Sequence, residues 1–176
     1  MGLALQVSLA RRADAPRIAD MSRQFIEQGL RWRWTEHRLL SAMADPATDV
    51  IVLRDGGAVA GFAVMQYADW HAHLCLLAVD PVRRRQGLAT QLLDWLECCA
   101  DTAAVASLRL EARADNPPAL AFYQRRGYAA TGTIAGYYDG VIAAVRLEKR
   151  LWPVRGPLAP PTDALSRAAA MPPPAR

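Results

Sequence analysis

Cysteine is scarce in this chain, with three residues in 176: Cys75, Cys98 and Cys99. The count is odd, two are adjacent, and no Cys-x-x-Cys occurs. This pattern points to neither a disulfide framework nor a zinc site. Three buried thiols in a reducing compartment are expected. Long apolar runs are missing too. No stretch approaches the roughly 20 residues of a membrane helix. The segment from Met1 to Arg12 lacks a secretory signal's apolar stretch and small-residue cleavage site. The chain therefore reads as soluble and cytoplasmic, with no membrane partner. Charge of one sign is only in small excess: a net +4 suits an anionic ligand and does not indicate nucleic acid. No internal repeat is present. What remains is an ordinary globular composition, 52% hydrophobic, in a length that suits one domain with a sizeable core.

Periodicity gives an order of elements. Residues 3–9 predict a first strand. Asp14 is placed to cap a helix with Pro16 in its first turn, and Ile18, Met21, Phe25 and Ile26 recur at helical spacing up to Gly29. Thr35 opens a second helix that stops before Pro46. Residues 50–53 and 59–67 are apolar runs joined by Asp55-Gly56-Gly57, a hairpin signal. Residues 74–79 predict a strand and residues 87–103 a helix with Leu88, Leu92, Leu96 and Cys99 near one face. Residues 105–112 predict another strand. Pro117-Pro118 suits the first turn of a helix capped by Asp115 or Asn116 and ended by Gly127. A last pair of strands, 128–134 and 141–147, flanks Tyr137-Tyr138-Asp139-Gly140. A mixed α/β sheet with helices on both faces follows. Seven of the twelve prolines lie in residues 152–176, which read as a mostly disordered tail; the other reading docks Trp152 and Leu158 on the domain.

One segment carries chemistry. An apolar strand enters Asp80-Pro81-Val82-Arg83-Arg84-Arg85-Gln86-Gly87 and a helix leaves it. The first N–H groups of a helix have no intrahelical partner, and the helix dipole adds partial positive charge there. Gly87 lets a phosphate approach the backbone, and the arginines add fixed charge. These features suit a pyrophosphate cradle; a solvated basic turn is the alternative for the motif alone.

Three blocks in order then fix a resemblance: Leu77-Ala78-Val79-Asp80-Pro81 with Arg84-Arg85-Gln86-Gly87-Leu88-Ala89; Leu110-Glu111-Ala112-Arg113-Ala114-Asp115-Asn116; and Ala119-Leu120-Ala121-Phe122-Tyr123-Gln124-Arg125-Arg126-Gly127-Tyr128. Over roughly residues 5–150 the chain resembles N-acetyltransferases of the GNAT superfamily, in particular the bacterial ribosomal-protein alanine N-acetyltransferases. The resemblance implies a GNAT domain over residues 1–150 followed by the tail at 151–176. It implies a mostly antiparallel, twisted sheet of about seven strands with helices on both faces. Acetyl-CoA is the implied cosubstrate, with no metal, and direct transfer to a primary amine in a ternary complex is the implied reaction. Leu77, Ala78 and Val79 would offer strand backbone to the pantetheine arm. Arg84 belongs to the signature, and Arg85, Gln86, Gly87, Leu88, Ala89 and Thr90 would hold the pyrophosphate, with Ala89 in place of the more frequent glycine. Asn116 would hydrogen-bond the cosubstrate. Glu111 matches the family's general base and Tyr123 its general acid.

The chemistry suits those types. An ammonium must lose a proton before attacking a thioester, and a carboxylate with a raised pKa in a partly apolar site can take it, directly or through water. The Val79 N–H is a candidate oxyanion donor, and a tyrosine hydroxyl can protonate the leaving thiolate. The other reading of Glu111 is an ion pair with Arg109 or Arg113; that of Tyr123 is core packing beside Phe122. His71 and His73 lie two apart on a strand without enough further ligands for a metal site; His73 is either an auxiliary base or a solvated edge residue. Trp32 and Trp34 either line the acceptor site or close the core. The segment after Tyr137-Tyr138 is shorter and less acidic than in the ribosomal-protein enzymes, so the acceptor is open: a protein N-terminus, a small amine, or none in a non-catalytic acetyl-CoA-binding module. A monomer or homodimer is expected.

Overall fold

The computed structural model describes residues 5–152. The tail, apart from its first two residues, lies outside them. Seven strands form one sheet: β1 (Gln6–Leu9), β2 (Thr48–Asp55), β3 (Ala58–Tyr67), β4 (His71–Val79), β5 (Ser107–Arg113), β6 (Ala129–Tyr138) and β7 (Ile142–Arg150). Their spatial order is β1-β2-β3-β4-β5-β7-β6. Only the β4–β5 pair is parallel. The helices are α1 (Ala15–Phe25), α2 (Glu36–Ala44), α3 (Leu88–Thr102) and α4 (Pro117–Arg125). This is the mixed, mostly antiparallel sheet that the sequence implied.

Local signals account for most boundaries. The Thr35 hydroxyl accepts the Arg38 N–H at the start of α2, and Asn116 Oδ1 accepts the Ala119 N–H at 3.2 Å to cap α4. Asp14 precedes α1 but makes no cap bond. Its carboxylate accepts the Arg11 N–H at 2.7 Å and Arg54 Nη2 at 2.6 Å, so charge pairing with β2 has displaced the expected cap. β4 starts at His71, earlier than expected, because both neighbouring strands extend its ladder: Tyr67 pairs with Ala72 and Ser107 with His71. Tyr137 and Tyr138 belong to β6 rather than to the turn, which Asp139 and Gly140 make instead.

The two faces of the sheet bury separate cores. α1 and α2 cover Val50, Val52, Phe62, Val64, Leu76 and Ala78. α3 covers the other face through Leu88, Leu92, Leu93 and Leu96, together with Leu108, Leu110, Tyr123 and Tyr128. The approach of α3 to the sheet needs Gly61, since a Cβ there would lie 3.1 Å from both the Ala78 oxygen and Leu92 Cδ1. The thiols are less buried than expected: Cys98 is exposed, and Cys75 and Cys99 are half-buried. Cys98 is on the outer flank of α3, whereas Cys99 follows Leu96 by three residues near the end of its buried face.

Two irregularities of β4 make the site. First, the register with β3 slips by one residue between Leu74 and Leu76, leaving Cys75 as a bulge. Leu74 joins the α3 core, whereas Cys75 and Leu76 both turn to the α1–α2 side. Second, β4 and β5 pair only from His71↔Ser107 to His73↔Arg109 and then part. Beyond that point β4 has lost its neighbour. The Asp80 N–H donates to the Ala60 oxygen at 2.8 Å. An antiparallel ladder alternates, so Ala78 bonds inward to Phe62, while Leu77 and Val79 turn their N–H and C=O groups toward the gap.

Candidate active site

The gap widens into a cavity of about 540 Å³. Its walls are β4 from His73 to Leu77, β5 from Leu110 to Arg113, the start of α4, the loop from Phe25 to Trp34, and Tyr137 to Asp139. Of the residues expected to hold a cosubstrate, Leu77 and Asn116 line this cavity. Ala78 and Val79 have buried side chains and offer only backbone.

The turn before α3 has the form of an anion cradle. Gly87 stands at the N-cap with φ +77°, and α3 has no side-chain cap and no acidic residue in its first turn. Its first N–H groups are therefore open to a ligand. A Cβ at Gly87 would meet nothing within 4 Å, so left-handed backbone, not crowding, is what selects glycine within the chain itself. Arg85 is left-handed as well, with φ 64°. Arg83 is spent on an ion pair with Asp55. Arg84 and Arg85 are exposed and make no ion pair among the described residues, and Gln86 is exposed beside them. Leu88 is buried in the α3 core, so only its backbone can serve the cradle; Ala89 and Thr90 are half-buried behind it. Asp80 braces the turn by accepting the Val82 N–H and Arg17 Nη2 at 3.0 Å.

The proton-transfer groups meet on the α1–α2 side of the gap. Glu111 Oε2 lies 2.6 Å from His73 Nε2, and Arg146 Nε donates to Glu111 Oε1 at 3.0 Å. The expected partners of Glu111 are engaged elsewhere: Arg109 pairs with Glu148 and Arg113 with Asp115. Burial works to raise the Glu111 pKa, yet the hydrogen bonds and charges of His73 and Arg146 outweigh it and leave it below the ordinary value. The raised carboxylate pKa expected for a lone base is thus corrected. His73 is no edge residue. Burial disfavours its charge, but the hydrogen bonds and electrostatics of Cys75 and Glu111 prevail and push it up to about 10. The basic member of the site is the His73–Glu111 pair, not an isolated carboxylate.

Tyr123 comes to the cavity from α4 and is 8% exposed. Its ring makes edge contacts with Phe122 and Tyr128, so it packs in the core as well as lining the site. Burial raises its pKa well above the ordinary tyrosine value, keeping the hydroxyl protonated at neutral pH. That hydroxyl makes no hydrogen bond among the described residues. The Tyr138 hydroxyl donates to the Glu111 backbone oxygen at 3.2 Å.

The rim of the cavity is fastened by two carboxylates. Glu27, buried at 7% exposure, accepts the Ser22 hydroxyl and the N–H groups of Arg33 and Trp34, folding the α1–α2 loop back on itself. Asp139 accepts the Arg31 N–H at 2.6 Å and Arg33 Nη2 at 2.9 Å, clasping that loop to the β6–β7 turn. These bonds hold Asp139 below the ordinary carboxylate range. Trp34 is buried in the α1–α2 core and also lines the cavity. Trp32 is exposed under Arg23 and lines a shallower hollow with Pro81 and Arg84. Among the described residues, no cluster of three or more His, Cys, Asp or Glu side chains suits a metal ion, and no helix is long and apolar enough to cross a membrane.

Sequence reading offered His73 as an auxiliary base but missed Arg146 and Asp139, whose roles depend on cross-strand register and loop contacts.

Residues 15–128 match the Acetyltransferase (GNAT) family. The catalytic subunit naa20 of the N-terminal acetyltransferase B complex of Schizosaccharomyces pombe is 36% identical over 71 residues, covering 40% of this chain and 39% of that protein. The [ribosomal protein bS18]-alanine N-acetyltransferase of Escherichia coli K12 is 38% identical over 86 residues, 49% of this chain and 58% of that protein. The chain thus spans about half the length of the curated relatives it matches. The crystal structure of the ribosomal-protein-S18-alanine N-acetyltransferase from Escherichia coli superimposes with a TM-score of 0.74 at 28% identity, covering 88% of this chain and 99% of that one.

Proposed function

The chain belongs to the GNAT acetyltransferase family, and on that premise we propose that it carries acetyl from acetyl-CoA directly to a primary amine, the α-amine of a protein N-terminus. The observation that carries this reading is the convergence of the His73–Glu111 pair and the unpartnered Tyr123 hydroxyl on one cavity, where β4 and β5 part. The named bacterial relative supports the choice of a protein amine.

The residues divide the work. Arg84, Arg85 and the open N–H groups at the start of α3 bind the pyrophosphate. The outward backbone of Leu77 and Val79 takes the pantetheine arm, and their N–H groups are the donors available to a developing oxyanion. Asn116 spends its Oδ1 on the α4 cap, leaving its amide N–H groups for the cosubstrate. The His73–Glu111 pair takes the proton of the acceptor ammonium, whose own pKa is about 8 for an α-amine. Tyr123 gives its proton to the departing thiolate. Free thiols and a thioester donor suit a reducing, cytoplasmic compartment.

The Asp139 clasp favours a second reading, a small amine that passes beneath the joined loops. Asp139→Asn weakens the clasp and separates the two: if the acceptor is a peptide, KM for peptides falls or is unchanged, whereas a small-amine enzyme loses selectivity against larger amines. The decisive experiment is an acetylation screen of peptides with different first residues against a panel of small amines. Peptide products support the proposal. Small-amine products alone support the second reading. Acetyl-CoA binding without transfer to any amine makes the chain a non-catalytic binding module.

A further inference from the structure

Cys75, His73 and Glu111 stand in a line along one wall of the cavity. Cys75 Sγ is 3.5 Å from His73 Nδ1, and His73 Nε2 is 2.6 Å from Glu111 Oε2. His73 and Cys75 are two residues apart on β4, so their side chains share the face on which Cys75 packs against the α1–α2 core; the bulge brings Leu76 to that face as well. The other side-chain neighbour of the thiol is Gln66 Oε1 at 3.4 Å. A thiol within reach of an imidazole whose far nitrogen is held by a carboxylate is the arrangement that activates a nucleophile. Direct transfer to an amine has no use for it.

We propose that Cys75 is an internal acyl acceptor, which takes an acetyl group from the bound thioester when no amine occupies the site. The proposal rests on the reading of this cavity as an acetyl-CoA site. In the step, taken by the form whose His73 ring is neutral, the thiol proton passes to His73 Nδ1, and Glu111 stabilises the resulting imidazolium through Nε2. Sγ attacks the thioester carbonyl and forms the new C–S bond. The bond to the CoA sulfur breaks, and that sulfur leaves as a thiolate and receives the proton from His73. One thioester is exchanged for another, and nothing is oxidised or reduced. The product is S-acetyl-Cys75 within the acceptor cavity. A thioester there remains reactive toward an amine and blocks the cavity until it is discharged.

The test uses the full chain, incubated with acetyl-CoA and no amine, and reads intact mass. The wild type gains one acetyl group, neutral hydroxylamine removes it, and peptide mapping places it on Cys75. Cys75→Ala loses the adduct; Cys98→Ala and Cys99→Ala retain it. His73→Gln slows its formation by about 10²-fold or more. An acetyl group found only on Cys98, Cys99 or an amine overturns the proposal. So does the absence of any adduct when calorimetry shows acetyl-CoA bound. If acetyl-CoA does not bind, the reading of the cavity fails, and the short thioester S-acetyl-N-acetylcysteamine tests the array by itself. Faster acetylation of Cys75 than of exposed Cys98 sustains the activated thiol; equal or slower acetylation overturns it.

Discussion

Replacing Glu111 by Gln removes the carboxylate that helps hold a proton on His73. The basic form of the pair is the one in which His73 has lost that proton, so acetyl transfer rises with pH toward about 10. In Glu111→Gln the ring loses this support and its pKa drops toward the ordinary 6.5, which moves the rising limb to lower pH. Plateau turnover falls by about 10²–10⁴-fold, the usual worth of positioned proton transfer, while acetyl-CoA affinity measured by calorimetry holds. The deficit is therefore greatest at alkaline pH and shrinks toward neutrality. A limb set by the acceptor amine alone would stay in place in the mutant, and an unmoved limb with near wild-type turnover returns Glu111 to a purely structural ion pair. Tyr123→Phe has a different signature. Its turnover falls most with thioesters whose thiols are poor leaving groups, because those depend most on protonation by the hydroxyl. Equal losses across a series of thioester donors would argue that the ring acts through packing against Phe122 and Tyr128.

At the scale of elements, the site depends on how strands and helices end. The turn between β4 and α3 presents open N–H groups because Gly87, in a left-handed conformation, ends the loop without a capping side chain. Gly87→Glu places a carboxylate in the proposed phosphate cradle, and it forces an L-residue into left-handed backbone at a cost of about 1–2 kcal/mol. The space around the new Cβ is open, so the variant folds. Calorimetry on the folded variant is expected to show no acetyl-CoA binding; unchanged affinity would remove the cradle. The β4 bulge and the short β4–β5 ladder do comparable work. Each leaves backbone groups unpaired in a place that a ligand can reach, where a regular sheet would have consumed them.

For the whole molecule, two cores clamp the sheet from opposite faces, and both lie within the described residues. Residues 153–176 have no apolar periodicity to add to either core. Their deletion is expected to leave acetyl-CoA affinity unchanged and the thermal midpoint within a degree or two, since a change of about 1 kcal/mol moves a domain of this size by roughly 2–4 °C. A larger drop in a melting experiment would show that the tail docks. The GNAT resemblance was legible because its blocks are local: strand into Arg-Arg-Gln-Gly into helix, then a capped helix ending at Gly127. Turn chemistry, capping and periodicity act over a few residues, and the sequence alone determined the hairpin at Gly56-Gly57, the start of α2 and the glycine turn that opens α3. It also determined the candidacy of Glu111 and Tyr123 through their place in those blocks. The partners of Glu111 were decided by tertiary structure. Arg109 and Arg113 are its neighbours along the strand, but the pairing of β5 with β4 and β7 brings His73 and Arg146 to it instead. A clasp across more than a hundred residues joined Arg31 and Arg33 to Asp139. Register and loop contact are properties of chain segments distant in sequence, so no local pattern could encode them.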